Sequence, residues 1–338
     1  MTLEEQHTVP QQFMRVTPSD IEIPRTSKPD HAASVIMTNT FGIARRVLDA
    51  DAKQRSWKFA TEQLANADDP PVNLILHLSQ QTGETADARI FTTDIALLRT
   101  ILNPRVVAIA SAYFEKVAGV RDFVLPYHAL NCRYYDADPE GSRPDSLLPF
   151  HQDAIGFPPY YKVLNFWTLL YPEECGTTSP GLDFGAVAPS SFIERERQPT
   201  SKNFHFLETR HRFVEDLLRE TPPITPSVQQ GDLLIFNELA LHRTSTRPGP
   251  TKSRASAEVR FVAATEQVLA EFASVNLSYA HVYGDRRLRI RWASEWTQSK
   301  EGDPRFVLPT LNHPIKQTDL PLWTPFAALR AFVRDRFV

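Results

Sequence analysis

The spacing of apolar residues predicts helices in the first third of the chain. Between Phe41 and Ala65 the apolar positions recur at helical spacing, which predicts one or two helices with a common apolar side. A second helix is predicted from residues 91–94, with Thr93 or Asp94 as its cap, to Phe114, with a break at Pro104. The apolar side of the first region consists of Ile43, Val47, Trp57 and Leu64.

After Gly119 the pattern changes to short runs rich in aromatic and branched residues, separated by turn clusters. Residues 207–220 are the one helical insert, and residues 324–337 predict a short terminal helix. Many short strands at even spacing favour a β-sandwich or jelly-roll barrel over a parallel α/β sheet. The predicted strands are residues 125–136, 147–153, 162–172, 182–189, 227–238 and 255–265.

Composition narrows the possible partners and location. The net charge is -3 over 338 residues, which gives no signal for binding a polyanion such as nucleic acid. No apolar run reaches the length of a membrane span, so we expect no membrane association. The first residues lack the layout of a signal peptide, and two cysteines are too few for a disulfide framework. We therefore expect a cytoplasmic protein that acts on a small molecule.

Three residues have the chemistry of a metal site. His151 and Asp153 are separated by one residue in a predicted strand, so both side chains point to the same face. His242 follows the predicted strand at 231–242 and is the best candidate for a third ligand. Two histidines and one carboxylate on one side of an ion are typical of non-haem Fe(II) oxygenases.

A carboxylate receptor is predicted one strand beyond the last metal ligand. Arg254 and Ser256 share a strand face, and a guanidinium with a hydroxyl binds carboxylates through charge-assisted hydrogen bonds. This pair can hold the distal carboxylate of a 2-oxo acid whose other end chelates the iron. A surface ion pair between Arg254 and Glu258 is the structural alternative, with Arg260 and Arg247 as other candidate receptors.

Over residues 125–265 the chain resembles the Fe(II)- and 2-oxoglutarate-dependent dioxygenases of the phytanoyl-CoA dioxygenase superfamily. The resemblance implies a mainly β fold with flanking helices around a double-stranded β-helix core, which is a cupin-like jelly roll. The matching segments are Phe150–Ala154, Asn165–Thr168, Cys175–Gly181, Gly231–Phe236, His242 and Arg254–Ser256.

The resemblance also implies the roles of the site residues. His151, Asp153 and His242 would bind Fe(II), and Arg254 with Ser256 would bind the C5 carboxylate of 2-oxoglutarate. Three further residues are expected around the co-substrate: Trp167 beside it, with Asn131 or Tyr134 completing the pocket. The implied reaction consumes O2, releases succinate and CO2, and hydroxylates or otherwise oxidises a small organic molecule. Asp153 favours hydroxylation over halogenation, since a small residue replaces it in related halogenases.

Several residues are candidates for substrate contact. Phe157, Tyr160 and Tyr161 lie in a proline-containing loop that could form a lid, although the tyrosines could equally pack the loop itself. Arg243 follows a metal ligand directly and could meet an acidic group of the substrate. His128 lies near Asn131 on a predicted strand, where a structural role is the alternative.

The predicted organisation is an N-terminal arm followed by one catalytic domain, as a monomer or homodimer. Residues 1–35 are expected to be mobile or loosely packed, and residues 36–338 to form the domain. Within it, residues 36–120 give helical support, 121–265 the jelly-roll core, and 266–338 an extension packed on the core. Two other functions remain open at this point: a cupin-type metalloenzyme that uses no 2-oxoglutarate, and a non-catalytic binding module.

Overall fold

The computed structural model describes residues 14–49, 51, 53–54, 74–78, 88–92, 101–126, 130–135, 149–193, 209, 211–245, 251–274, 279–283, 287–291 and 317–321. The strands in these ranges are β1 Met14–Arg15, β2 Glu22–Ile23, β3 Phe41–Ala44, β4 Leu74–Leu78, β5 Ala88–Thr92, β6 Phe123–Pro126, β7 Leu130–Tyr135, β8 Val163–Tyr171, β9 Glu174–Cys175, β10 Leu182–Phe184, β11 Val187–Ala188, β12 Val228–Gln229, β13 Leu233–Asn237, β14 His242–Thr244, β15 Arg254–Ala263, β16 Tyr279–Val282, β17 Arg287–Arg291 and β18 Gln317–Pro321. The helices with described bounds are α1 Pro29–Asn39, α2 Pro104–Ala118, α3 His211–Glu220 and α4 Glu266–Ser274.

The larger sheet has four antiparallel strands at its centre, in the order β7, β15, β8, β13. Side chains alternate across it: Leu164 and Phe166 of β8 pack with α1 and α2, whereas Trp167 lies in the opposite apolar cluster. The same alternation turns Ala257 and Val259 of β15 towards the helices. Arg254, Ser256, Glu258 and Arg260 consequently form one row on the inner face of the sheet.

A smaller sheet closes the other side of the barrel. His151 bridges His242, β14 pairs with β10, and Phe184 of β10 bridges Ile224. The segments between β7 and β15 are therefore divided between two facing sheets. This is the arrangement of a double-stranded β-helix, or jelly roll. Leu182 and Phe184 pack against Trp167, Leu234 and Phe236 between the sheets. The predicted fold class is confirmed.

The sequence pattern predicted helix at two places where the structure has strands. Phe41–Ala44, predicted to be helical, is strand β3 and pairs with β13. All four of its residues are buried, and a short fully buried strand has no alternation that distinguishes it from a helix. Phe91 and Thr92, predicted to start a helix, lie in strand β5. Trp57, Leu64 and residues 93–100 lie outside the described residues.

The segment predicted to be a loosely packed arm is ordered from Met14 onwards. Strand β1 pairs with β11, β2 runs parallel to β3, and Val16, Ile21 and Ile23 are buried. Each of these short segments adds only one or two buried apolar residues to a surface built by distant parts of the chain. The sequence therefore shows no periodicity that would predict that this region is packed. Residues 1–13 and the predicted terminal helix at 324–337 lie outside the described residues, and the domain boundaries stay predictions.

Helix α2 begins at the proline that was predicted to break it. Pro104 occupies the first turn, where its missing N–H is no loss. The Asn103 side chain caps the helix by accepting hydrogen bonds from the backbone N–H groups of Arg105 and Val106 at 3.0 and 3.1 Å. The buried amide nitrogen of Asn103 has no hydrogen-bond partner among the described residues. Within the same residues, no helix is long and apolar enough to cross a membrane.

We expect Asn103→Ala to lower the free energy of unfolding by about 1 kcal/mol, because two N–H groups lose their acceptor. Asn103→Asp should match or exceed the wild-type stability, since a carboxylate keeps the acceptor and removes the unpartnered amide. Urea denaturation followed by circular dichroism measures both variants. Equal stability of the alanine and wild-type proteins would contradict the capping role.

Candidate metal centre

His151 and His242 face each other across the smaller sheet. Each residue's backbone N–H donates to the other's carbonyl oxygen at 3.0 Å, the pattern of a hydrogen-bonded antiparallel pair. The two imidazole rings are buried, and their centroids are 4.3 Å apart. The sheet itself therefore brings together two residues that are ninety-one positions apart in the sequence.

The third residue joins them from a turn instead of a strand. Asp153 begins a short 3-10 helix, Asp153–Gly156. Because the backbone of Gln152 is extended, the side chain of Asp153 lies on the same side as that of His151. The distance from His151 Nε2 to Asp153 Oδ1 is 3.9 Å, and these side chains are 6% and 10% exposed. One ligand atom from each of His151, Asp153 and His242 lies within 4.8 Å of the others. Among the described residues this is the candidate metal site.

The sequence predicted that His242 ends the strand that begins near Gly231, but the structure places it in a separate strand. Strand β13 stops at Asn237, the chain turns, and His242 begins β14 in the other sheet. Asn237 shapes this turn by accepting a hydrogen bond from the backbone N–H of Leu239 at 3.0 Å. Gln152 Nε2 donates to the carbonyl of Leu239 at 2.6 Å, which ties the His242 turn to the His151 segment.

Hydrogen bonds at the far side of each imidazole determine which nitrogen can bind a metal. His151 Nδ1 lies 2.8 Å from the Pro149 carbonyl oxygen, and His242 Nδ1 lies 2.9 Å from that of Ala240. A carbonyl only accepts, so each Nδ1 carries the proton and donates it. Each Nε2 then presents a lone pair, which is the tautomer a metal ligand requires. The donor set thus fits a divalent metal ion.

The other oxygen of Asp153 is held by two side chains that the sequence did not single out for this role. Asn165 Nδ2 donates to Asp153 Oδ2 at 2.8 Å, and Arg260 Nη2 donates to the same oxygen at 3.0 Å. Arg260 Nη2 also donates to Glu258 at 2.7 Å, so the acidic partner considered for Arg254 forms an ion pair with Arg260. Side-chain alternation along the predicted strands could have indicated these two residues. It places Asn165 on the same face as Trp167, and Arg260 on the same face as Arg254.

The predicted carboxylate receptor lies inside the barrel. Arg254 is fully buried, and its Nη1 donates to the carbonyl oxygens of Pro180 and Gly181 at 3.1 and 2.9 Å. Its guanidinium carbon is 5.5 Å from the ring centroid of Trp167, within the range of a cation–π contact. Ser256 Oγ is buried without a hydrogen-bond partner among the described residues. A buried hydroxyl in this position is suited to a bound polar ligand.

The turn at Cys175–Gly181 supplies the carbonyl groups that hold Arg254. Gly176 has φ +96°, and a Cβ there would lie 2.6 Å from the Pro226 carbonyl oxygen, so the turn requires glycine. Cys175 is a buried free thiol, and burial raises its pKa to about 12. The thiol of Cys175 is therefore structural.

Two predicted co-substrate residues are placed by backbone register. Asn131 of β7 is opposite Glu258, on the inner row of β15, whereas Tyr134 is opposite Ala255, on the row that turns to the helices. The co-substrate role of Asn131 or Tyr134 stays a prediction. His128 lies outside the described residues.

The loop predicted to form a lid is fastened to helix α4. The exposed Tyr160 hydroxyl donates to Glu271, and this hydrogen bond raises the pKa of the Tyr160 phenol. Tyr161 is buried against Val268 and Phe272, and burial raises its pKa as well. Phe157 lies close to a residue that contacts Asp153, with its ring centroid 5.4 Å from the Arg260 guanidinium carbon.

Arg243 points away from the metal site because it alternates with His242 along β14. Its Nε donates to the fully buried Asp183 at 3.1 Å, and its guanidinium lies 4.4 Å from the Phe150 ring centroid. Phe150 packs in turn with Phe213 of α3. This position on the outer face of the smaller sheet disfavours the predicted substrate contact by Arg243.

Neither protein-family models nor curated proteins gave a match to this chain. Solved structures gave matches of low identity. EctD from S. alaskensis with 2-oxoglutarate and 5-hydroxyectoine is 14% identical, with TM-score 0.49 over 76% of this chain and 84% of that one. The epimerase SnoN, in complex with Fe3+, alpha ketoglutarate and nogalamycin RO, is 17% identical, with TM-score 0.49 over 70% and 84%. EvdO2 from Micromonospora carbonacea var. aurantiaca is 13% identical, with TM-score 0.48 over 74% and 92%. Because these TM-scores stay below 0.5, the likeness does not decide what this chain binds.

Proposed function

We propose that this protein is an Fe(II)- and 2-oxoglutarate-dependent oxygenase of the phytanoyl-CoA dioxygenase type that oxidises a small organic molecule. The observation that carries the proposal is the His151–Asp153–His242 cluster, with both Nε2 atoms set for metal binding, on the same barrel interior as Arg254 and Ser256. A two-histidine, one-carboxylate set is the ligand pattern of non-haem Fe(II) oxygenases. When bound, the iron supplies the activation of O2 coupled to decarboxylation of 2-oxoglutarate.

The chain's own residues would position the two organic reactants. The inner row of β15 runs from Arg260, which contacts Asp153, through Glu258 and Ser256 to Arg254. A 2-oxo acid that chelates the metal can therefore extend along this row towards the buried guanidinium. Arg254 would bind the distal carboxylate by charge-assisted hydrogen bonds, and the Ser256 hydroxyl would donate to the same group.

Buried apolar side chains line the barrel interior beyond this row. Trp167 and Leu169 of β8 and Leu234 and Phe236 of β13 are buried between the sheets. Few waters then compete for the carboxylate, and the charge pair is stronger in the low local dielectric. The same apolar walls would keep the reacting centre from unproductive hydrolysis or oxidation. Phe157, beside Arg260, is the loop residue best placed to contact a substrate.

Succinate formation tests the proposal. Protein purified without oxygen is mixed with Fe(II) and 2-oxoglutarate, exposed to air, and assayed for succinate with and without a library of small metabolites. We expect slow succinate release from 2-oxoglutarate alone and faster release with a member of the library. Before oxygen is admitted, the complex should show the visible charge-transfer absorption of an Fe(II)-chelated 2-oxo acid.

Two outcomes separate this function from its alternatives. A protein that binds Fe(II) but forms no succinate and shows no charge-transfer absorption would be a metalloenzyme of another type. A protein that binds no divalent metal would be a binding module that keeps the jelly-roll fold. Either result would overturn the proposal.

A further inference from the structure

The two oxygens of Asp153 have different surroundings. Oδ1 faces His151 Nε2 at 3.9 Å, which is the side of the candidate metal. Oδ2 faces the opposite way and accepts hydrogen bonds from Asn165 Nδ2 at 2.8 Å and Arg260 Nη2 at 3.0 Å. A carboxylate can bind a metal through one oxygen or through both, and donors on one oxygen reserve the other for the metal.

The donors on Oδ2 are themselves fixed. Asn165 is fully buried, and its Oδ1 accepts a hydrogen bond from Arg260 Nε at 2.8 Å. This bond also settles the orientation of the amide, since Oδ1 must face the guanidinium and Nδ2 must then face Asp153. Glu258 is buried and accepts from Arg260 Nη2 at 2.7 Å. Arg260 is thus a cation between two carboxylates, covered on one side by the Phe157 ring.

The sheet explains why these residues meet. Arg260 is directly opposite Asn165 in the pairing of β15 with β8, and Glu258 precedes it on the same inner row. Both strands are central in the larger sheet, so the donors are attached to rigid elements. Asp153, in contrast, lies in a turn that begins where the smaller sheet ends. A carboxylate on a turn gains its orientation from the strands that hold it.

We propose that Arg260 is a positioning residue that, together with Asn165, keeps Asp153 a one-oxygen ligand of the metal. This inference rests on the proposed function and adds a residue to it. With Oδ2 retained by the protein, the carboxylate takes one coordination position, and the remaining positions stay available for the 2-oxo acid and O2. Glu258 contributes by holding the guanidinium and balancing its charge.

Arginine suits this role because its planar fork reaches several acceptors at once. Nε contacts Asn165 while Nη2 contacts Asp153 and Glu258. A lysine ammonium keeps the charge, but as a single point it cannot reproduce contacts in these separate directions. Arg260→Lys therefore removes the positioning while it preserves the charge of the site.

The test is a Co(II) titration of Arg260→Lys, followed by the visible absorption of the bound Co(II), which reports its coordination. Arg45→Lys is the matched control: the Arg45 side chain is 32% exposed and pairs with Glu22 and Asp232, and that of Arg260 is 31% exposed and also pairs with two carboxylates. We expect the Co(II) dissociation constant of Arg260→Lys to rise about 10–100-fold, the usual cost of losing an outer partner of a metal ligand. Its absorption spectrum should also change, because Oδ2 becomes free to bind the metal. The control should match the wild type in both measurements.

A second variant keeps the inference testable if Arg260→Lys does not fold. Asn165→Leu has a similar volume and removes the other donor to Oδ2, so it should shift the Co(II) spectrum in the same way. Wild-type spectra and dissociation constants in a folded Arg260→Lys or Asn165→Leu would overturn the inference. Failure of the wild-type protein to bind Co(II) would instead overturn the proposed function, so the two failures are distinguishable.

Discussion

Replacing His242 with alanine will remove metal binding and succinate formation together. The Nδ1 of His242 is engaged by the Ala240 carbonyl oxygen, which leaves Nε2 to face the site, so the substitution would delete one of the three proposed ligands. The loss of metal affinity should exceed the about 10–100-fold effect that is typical of outer partners. Asp153→Ala should have the same consequence, since its Oδ1 lies 3.9 Å from His151 Nε2.

Metal-dependent thermal stability measures this effect without an assay of activity. A ligand at one hundred times its dissociation constant stabilises the folded state by about 2.7 kcal/mol. Co(II) should therefore raise the melting temperature of the wild type and leave that of His242→Ala unchanged.

The control for His242→Ala is His281→Ala, which removes another buried histidine. His281 lies 3.5 Å from Asp122 and belongs to a different part of the larger sheet. This variant should lose some stability but retain the rise with Co(II). An undiminished rise in a folded His242→Ala would contradict the assignment of the ligand.

Residue order and strand alternation were enough to predict that His151, Asp153 and His242 come together. A histidine and an aspartate one residue apart, followed by a distant histidine and an Arg-x-Ser segment, define a site even without knowledge of which strands pair. The local reasons were partly wrong, since Asp153 lies in a 3-10 helix and His242 begins a strand in the other sheet. The side chains of His151 and Asp153 nevertheless lie on one side, because the extended backbone of Gln152 separates them.

Residues whose roles depend on tertiary pairing could not be predicted in the same way. Arg260 was considered only as another carboxylate receptor, because its contact with Asp153 needs the register of β15 against β8. Arg243 was linked to the site by its position next to His242, but alternation along β14 turns it outwards to Asp183.

The aromatic loop shows a different limit. Tyr160 and Tyr161 were candidates for substrate contact because aromatic residues often line pockets. The structure uses them to attach the loop to α4, through Glu271 and through packing against Phe272. Since α4 follows the last core strand, no local pattern in the loop indicates this contact.

Arg254→Lys will weaken 2-oxoglutarate binding and leave metal binding unchanged. Lysine keeps a positive charge and can still donate to the Pro180 and Gly181 carbonyl oxygens, but it loses the bidentate fork. A hydrogen bond to a charged group contributes about 1.5–3 kcal/mol, which corresponds to about 10–100-fold in the dissociation constant. The Co(II) dissociation constant should not change, because Arg254 is at the far end of the inner row from Asp153.

A truncated co-substrate makes this prediction specific to the distal carboxylate. The compound 2-oxobutyrate keeps the metal-chelating end of 2-oxoglutarate and lacks the group that Arg254 would bind. The wild type should therefore prefer 2-oxoglutarate strongly, whereas in Arg254→Lys the difference between the two affinities should shrink by about 10–100-fold. Each affinity is measured by titrating one compound into the Fe(II) protein without oxygen and following the rise of the charge-transfer absorption. Arg45→Lys, in which the altered cation is remote from the barrel interior, should keep the wild-type preference. An equal preference in wild type and Arg254→Lys would mean that another residue reads the distal carboxylate, or that the metal site serves an enzyme without a 2-oxo acid. Two proteins, wild type and Arg254→Lys, are each compared with two compounds, 2-oxoglutarate and 2-oxobutyrate. The difference between the two preferences isolates the interaction of the Arg254 side chain with the distal carboxylate, so a general loss of stability cannot imitate the expected result.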